Sequence, residues 1–385
     1  DDPPTINVFG STVLEGADAT PTDALFTIQL SNPSQDAITV TFDTADGTAV
    51  EALVIAGDGS NDYEAIPAGT VNFDPGVTQQ LVTVQVNGDA TDEADETFGL
   101  NLTVDPGAVT LAGSTTAGTA TILDDDNAPS ISVLAFDSSI TENDEGDAAQ
   151  DLVFTVELSN PSQSVVTVDF DITDDTATSG GATTLGTDDY TATPTGTLTF
   201  AAGETQALIT AAVNGDDVDE ADSETFGLEL TNPSNATLNG GSATGTIGDN
   251  DATPVVDIAG FSVLEGNDGD SPTITFTAVL DGVSEDQIVI PFSTADDTAT
   301  TADSDYVATS GFITFEPGTT VATVDAVVTV TGDDIYESGG ADETFFVTLA
   351  AATAGTVTLG TSIGTGTIVN DDGVPTITLS NFTLN

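Results

Sequence analysis

The 385-residue chain carries 65 Asp and Glu and no Lys, Arg or His, which sets a formal net charge of −65. Such a field repels nucleic acid and anionic lipid surfaces, and neither is expected as a partner. A hydrophobic share of 38% with 18 Phe supplies the apolar material for packed cores that an acidic disordered tail lacks.

Taken in chain order, short runs of alternating polarity between Gly, Pro, Asn and Asp turns predict strands at Ile6–Val8, Leu25–Leu30, Ile38–Phe42, Thr70–Phe73, Leu81–Val86, Phe98–Val104 and Thr119–Leu123. Phe26, Ile28 and Leu30 are expected on one face and Thr27 and Gln29 on the other. The punctuation Asp1-Asp-Pro-Pro4, Asp126-Asn-Ala-Pro129, Asp251-Ala-Thr-Pro254 and Asp372-Gly-Val-Pro375 then restarts the pattern at spacings of 125, 125 and 121 residues. A period this long marks autonomous domains, since stacked solenoid units run at about 20 to 50 residues. The boundaries read as 1–126, 127–251 and 252–372, with 373–385 the opening strand of a further repeat or a strand donated to another chain. About seven strands in roughly 120 residues, without helical periodicity, predict an all-β chain of three tandem immunoglobulin-like antiparallel sandwiches. No apolar run reaches the roughly 18 residues of a spanning helix.

One acidic string recurs in each repeat. It reads Asp89-Ala-Thr-Asp-Glu93-Ala-Asp-Glu96-Thr-Phe98, then Asp216-Asp-Val-Asp-Glu220-Ala-Asp-Ser-Glu224-Thr-Phe226, then Asp333-Asp-Ile-Tyr-Glu337-Ser-Gly-Gly-Ala-Asp-Glu343-Thr-Phe345. Carboxylates packed that closely raise one another's pKa unless a cation neutralises them. Ca²⁺, which takes about six to eight oxygens from flexible loops, suits them. The pairs Asp62-Tyr63, Asp189-Tyr190 and Asp305-Tyr306 read as a turn and a packed ring in preference to a ligand.

The order Val13-Leu-Glu15-Gly16, Ser31-Asn-Pro-Ser34, Asp46-Gly-Thr-Ala49, Asp62-Tyr63, Phe73-Asp-Pro-Gly76, Asp92-Glu-Ala-Asp-Glu-Thr-Phe98 and Asp124-Asp-Asp126 resembles the Calx-beta domain. The second repeat matches through Glu142, Asp174, Asp189-Tyr190, Glu220, Glu224 and Asp249-Asn-Asp251, and the third through Val263-Leu-Glu265-Gly266, Asp296, Asp305-Tyr306, Glu343 and Asn370-Asp-Asp372. That family includes calcium-sensing domains of sodium–calcium exchangers and tandem modules of bacterial surface and adhesin-type proteins. The resemblance implies several Ca²⁺ ions near the domain junctions. Glu15, Asp46, Asp89, Glu93, Glu96, Asp124, Asp125 and Asp126 would serve the first repeat. Glu142, Asp174, Asp216, Asp217, Glu220, Glu224, Asp249 and Asp251 would serve the second, and Glu265, Asp296, Asp333, Asp334, Glu337, Glu343, Asp371 and Asp372 the third. The extra residues between Glu337 and Glu343 imply fewer ions or a looser site there.

Without His, Cys or Lys there is no imidazole, thiolate or Schiff-base chemistry, and no enzymatic activity is expected. The joint absence of Cys, Met, Trp, His, Lys and Arg fits either economy in an exported protein or adaptation to salt, and both place the chain outside a microbial cell or at its surface. The expected protein is an extracellular structural one, a calcium-stiffened rod that self-associates into a filament or surface layer or forms an adhesin stalk. A module binding polysaccharide or a cell-surface ligand and a calcium sensor are the alternatives. The longer loops between Asp46 and Tyr63 and between Asp174 and Tyr190 are candidate lateral contacts.

Overall fold

The computed structural model describes residues 3–17, 20–51, 61–134, 139–180, 188–322, 324–336 and 341–379, and every regular element among them is a strand. The first domain has β1 (Ile6–Phe9), β2 (Thr12–Leu14), β3 (Thr22–Leu30), β4 (Ile38–Asp46), β5 (Gly69–Phe73), β6 (Gln79–Val86), β7 (Glu96–Val104) and β8 (Ala117–Leu123). They form two facing sheets, ordered β1-β3-β6 and β2-β8-β7-β4-β5. Alternation selects the inner face: in β3, Ala24, Phe26, Ile28 and Leu30 are buried while Asp23, Leu25 and Gln29 face water. Each domain closes its own core, with buried side chains running from Ile6 to Ile122, from Ile131 to Ile247 and from Val256 to Ile368.

The seven predicted strands of the first repeat are present, several of them longer than predicted, and β2 is an eighth. Its three residues are too few for alternation to register, and its pairing is not that of a hairpin. The sheets are antiparallel except at such edges. β2 runs parallel to β8, with Thr12 opposite Thr121 and Leu14 opposite Leu123. Ser139–Thr141 runs parallel to Ser242–Gly248, and Phe261–Leu264 to Ile363–Val369.

Under the same end of each sandwich lies one aromatic pair. Tyr63 stacks on Phe98 at 4.3 Å, Tyr190 on Phe226 at 4.2 Å and Tyr306 on Phe345 at 4.4 Å. These rings bury large apolar area at fixed geometry, so the backbone on either side of them is held in place.

Successive domains meet through one backbone contact used twice. Asp92 N–H donates to the Pro161 carbonyl at 3.1 Å and Gln163 N–H to the Asp92 carbonyl at 2.9 Å, while the Ser162 hydroxyl donates to Asp92 Oδ2 at 3.0 Å. At the next junction Val218–Asp219 pairs in parallel with Val283–Ser284, and Glu285 N–H donates to the Asp219 carbonyl at 3.2 Å. The loops considered for lateral contacts fall largely in residues 52–60 and 181–187, outside the described residues. Residues 373–379 form no strand, and Ile377 and Leu379 are exposed; Phe382 and Leu384 of the expected strand lie outside the described residues.

Candidate metal centres

The parallel edge strand builds the first half of each site. Because β2 and β8 run the same way, both leave the sheet at the same end, and the Glu15 N–H still reaches the Leu123 carbonyl at 2.9 Å. Glu15 therefore emerges beside Asp124, and Glu15, Asp124 and Asp126 bring carboxylate oxygens within 4.8 Å of one another. The second domain repeats this with Glu142, Asp249 and Asp251, where Glu142 N–H donates to the Gly248 carbonyl at 3.0 Å.

The aromatic pair builds the other half. Asp62 precedes Tyr63 and Glu96 lies two residues before Phe98, so stacking of the rings sets the two carboxyls side by side. Asp62, Glu93 and Glu96 converge within the same 4.8 Å, as do Asp189, Glu220 and Glu224. A further group in the second domain joins Asp144, Asp217 and Asp251. The acidic loop is drawn in by a glycine. A Cβ on Gly88 would lie 2.1 Å from the Gly16 carbonyl oxygen, and one on Gly215 would lie 1.9 Å from that of Asn143. Glu15 Oε1 then accepts the Asp89 N–H at 3.0 Å, while Asp89 and Asp216 turn their own loops by accepting the N–H of Thr91 at 2.6 Å and of Val218 at 2.9 Å.

Burial, assisted by neighbouring carboxylates, pushes Glu15 up to about 7, Glu93 to about 9, Glu142 to about 8 and Glu220 to about 10. Asp62 and Glu96 are both raised, chiefly by burial, and share a hydrogen bond that requires one proton between them; Asp189 and Glu224 do the same. Glu93 Oε1, Asp126 Oδ2, Glu142 Oε1, Glu220 Oε1 and Asp251 Oδ2 are buried and have no hydrogen-bond partner. Orphaned oxygens in a chain without a basic side chain fit a bound cation, and an all-oxygen donor set on loops suits Ca²⁺.

Three expected ligands are engaged elsewhere. Asp46, Asp174 and Asp296 end their strands pointing at the tyrosine of the stacked pair, and each Oδ1 accepts that hydroxyl, at 2.7, 2.7 and 2.6 Å. The same oxygens accept the N–H of Glu51, Ser179 and Thr301 at 3.1, 3.0 and 3.0 Å. None of the three belongs to a carboxylate group among the described residues. Asp125 is exposed and accepts the Gly16 N–H at 2.9 Å. Conversely, Asp62 and Asp189, read from sequence as turn residues, are buried members of the groups, and Asp144 joins the second domain's third group. The signal that could have found Asp62 and Asp189 is the repetition of the Asp-Tyr pair at one place in every repeat.

In the third domain no three carboxylates converge among the described residues. Asn370 stands where Asp124 and Asp249 stand, and Glu337 lies outside the described residues. Glu265 and Asp305 are buried. Asp333 accepts the Ile335 N–H at 2.6 Å, Asp334 the Asp268 N–H at 3.3 Å and Asp371 the Gly266 N–H at 3.1 Å. Burial and then Asp334, Asp371 and Asp333 raise Asp372, and Glu343 opens the strand Glu343–Leu349.

Mixed-sheet sandwiches in tandem, each with acidic loops gathered at one end, define a modular array of small acidic β domains. The chain belongs to the Calx-beta domain family, whose pattern matches it three times, over residues 1–127, 124–251 and 263–372. Among solved structures, the crystal structure of CBD12 from CALX1.2 is similar at 19% identity, covering 63% of this chain and 99% of that one with a TM-score of 0.27. The calcium binding domain CBD12 of CALX1.1 is similar at 19% identity, over 63% and 98% of the two chains, with a TM-score of 0.26. The apo-form Calx CBD1 domain is 25% identical over 32% of this chain and 99% of that one, with a TM-score of 0.25. No curated protein matches the chain.

Proposed function

We propose that the protein is an extracellular structural rod of a microbe, in which Ca²⁺ held at the domain ends stiffens a string of sandwiches that assembles into a filament, a surface layer or a stalk. One observation carries this reading: the carboxylate groups with orphaned buried oxygens lie where one domain meets the next. The Gln163 side chain of the second domain bonds Glu96 of the first, and Glu285 of the third faces Asp189 and Glu224 of the second. A cation bound by Asp62, Glu93 and Glu96 would thus hold the acidic loop and, through it, the Asp92 pairing to the next domain. Glu15 with Asp124 and Asp126, and Glu142 with Asp249 and Asp251, would hold the strand ends that lead into the linkers. The chain's own residues bind and orient; the ion supplies the charge that lets them stay buried. A hinge made of loops becomes a fixed angle.

Calcium titration followed by calorimetry, with small-angle scattering on the same samples, tests the reading. Binding to the first two domains with a narrowed distribution of lengths is expected. Scattering that is unchanged by calcium at full occupancy would leave a calcium-binding protein but remove the stiffened rod. Saturation in the micromolar range with a change of shape would favour a sensor.

A further inference from the structure

Each sandwich has a flank, the outer face of its five-stranded sheet, and in the first two domains that flank is polar. The three sheets align by register, because Asp46, Asp174 and Asp296 each lie opposite the phenylalanine of the stacked pair. Where the second domain carries Thr167, Asp169, Asp171, Thr197, Glu229 and Ser242 on the flank, the third carries Val289, Pro291, Ser293, Phe312, Thr348 and Ile363. Three carboxylates are replaced by uncharged residues, and four of the six positions are apolar. The first domain keeps a carboxylate there, Asp43.

None of the side chains that alternate outward along the third domain's five strands, Phe261–Leu264, Ile288–Asp296, Ser310–Phe315, Glu343–Leu349 and Ile363–Val369, is acidic. On a chain with 65 carboxylates and no base, this is a gap in the field. Phe312 is 56% and Ile363 52% exposed, and Phe346 is half-buried on the strand between theirs. A sheet face turned to water ordinarily carries polar residues, so apolar ones here need a cover. The exposure belongs to the flank and not to an end of the sandwich. In the second domain, which has a neighbour seated at either end, Asp171, Thr195 and Thr197 of the same flank are exposed.

We propose that the third domain's flank pairs with the same flank of a second copy, sheet on sheet about a two-fold axis. Charge selects the occupant. A second copy brings no base to any carboxylate, so two copies meet at least cost across a surface from which carboxylates are absent. A basic partner would be drawn to the acidic surfaces and would gain nothing from this one. Two copies also bring sheets of identical twist, which pack face to face about 10 Å apart with interdigitating side chains, and such an isologous contact closes at two chains. Five strands about 4.8 Å apart, each with about three outward residues, offer a footprint of roughly 500 Å² a side, at the low end of specific interfaces. The pair is therefore weak and depends on concentration. The proposal deepens the assembly reading by naming its lateral surface and rests on it, since a chain that never self-associates has no use for the contact.

Sedimentation velocity over a concentration series tests it, in low salt and in molar sodium chloride, with calcium and with EDTA. Dimers are expected with either, and more of them in molar salt, where screening removes the repulsion and leaves the apolar contact. Phe312→Asp and Ile363→Asp should each weaken pairing about tenfold or more, while Thr70→Asp, the same charge at the matching position of the first domain, should leave it within about twofold. Melting curves check that each variant is folded. Because the chain has no cysteine, Thr348→Cys on the middle strand should be joined to its copy by a short bismaleimide, and Thr70→Cys should not. Association that both flank variants leave unchanged overturns this surface and leaves the assembly standing. Association that vanishes in EDTA overturns it in favour of carboxylates bridged by the ion. A chain monomeric at every concentration overturns it as well, and if Phe312→Asp then lowers retention on an insoluble polysaccharide, the flank belongs to a sugar surface. Scattering that ignores calcium while the pair persists refutes the stiffened rod alone.

Discussion

Glu93 belongs to the group with Asp62 and Glu96, where burial and then Glu15, Asp62, Asp89 and Glu96 hold it up to about 9. A carboxyl raised on folding binds its proton more tightly in the folded state, so its stabilisation is complete below the unfolded value and is lost as pH climbs through the folded one. For Glu15, Glu142, Glu93 and Glu220 that window runs from 4.5 to about 7, 8, 9 and 10. Melting temperature in EDTA should therefore fall steadily from pH 5 to pH 9, the range in which saturating calcium keeps it nearly level. Calcium binding at neutral pH should release protons, seen as a binding enthalpy that changes with the ionisation enthalpy of the buffer. Glu93→Gln imitates the protonated acid. It should leave melting in EDTA at neutral pH within about 1 kcal/mol of the parent while lowering calcium affinity in the first domain about tenfold or more, with the second domain titrating normally.

The strand ends separate carboxylates that hold a tyrosine from those that join the carboxylate groups. Asp46 holds the hydroxyl of buried Tyr63, so Asp46→Asn and Tyr63→Phe should each cost about 0.5–1.5 kcal/mol of domain stability and leave calcium affinity within about twofold. A tenfold loss of affinity in Asp46→Asn would make it a ligand after all. Gly88→Ala tests the loop that carries Asp89 and Glu93, since the added carbon meets the Gly16 carbonyl and must push the loop out. It should weaken calcium binding in the first domain while the second domain melts as before. Of these elements, the acidic loop and the closing Asp124 and Asp126 were legible because carboxylates crowd into a few consecutive positions, although crowding alone does not set them apart from the exposed Asp125. The role of Asp46 was not, because a carboxylate that caps a tyrosine and one that binds a metal look alike in a linear chain.

Across the whole molecule, a charge of −65 with no basic residue makes folding depend on what neutralises it. Chelation in low salt should loosen the junctions first, as Asp92 and Asp219 lose the loops that hold them against Ser162 and Ser284. The domains should then melt at lower temperature. Ligand bound only to the folded state stabilises it by about 2.7 kcal/mol at a hundredfold excess over its dissociation constant. Molar salt, which shortens the screening length to about 3 Å, should restore part of the melting temperature but not the stiffness. Protease cleavage at the linkers 127–129 and 252–254 in EDTA, suppressed by calcium, would report the loosening directly.

The repeat, the strands and the crowding of acids were fixed by local pattern: alternation decides which side chains turn inward, and a Pro after an acidic strand marks each restart. Tertiary structure alone decided which acids meet. Glu15 reaches Asp124 because a three-residue edge strand runs parallel to a strand more than a hundred residues away, and Asp62 reaches Glu96 because two rings stack. Both are contacts between distant segments, with no periodicity to announce them.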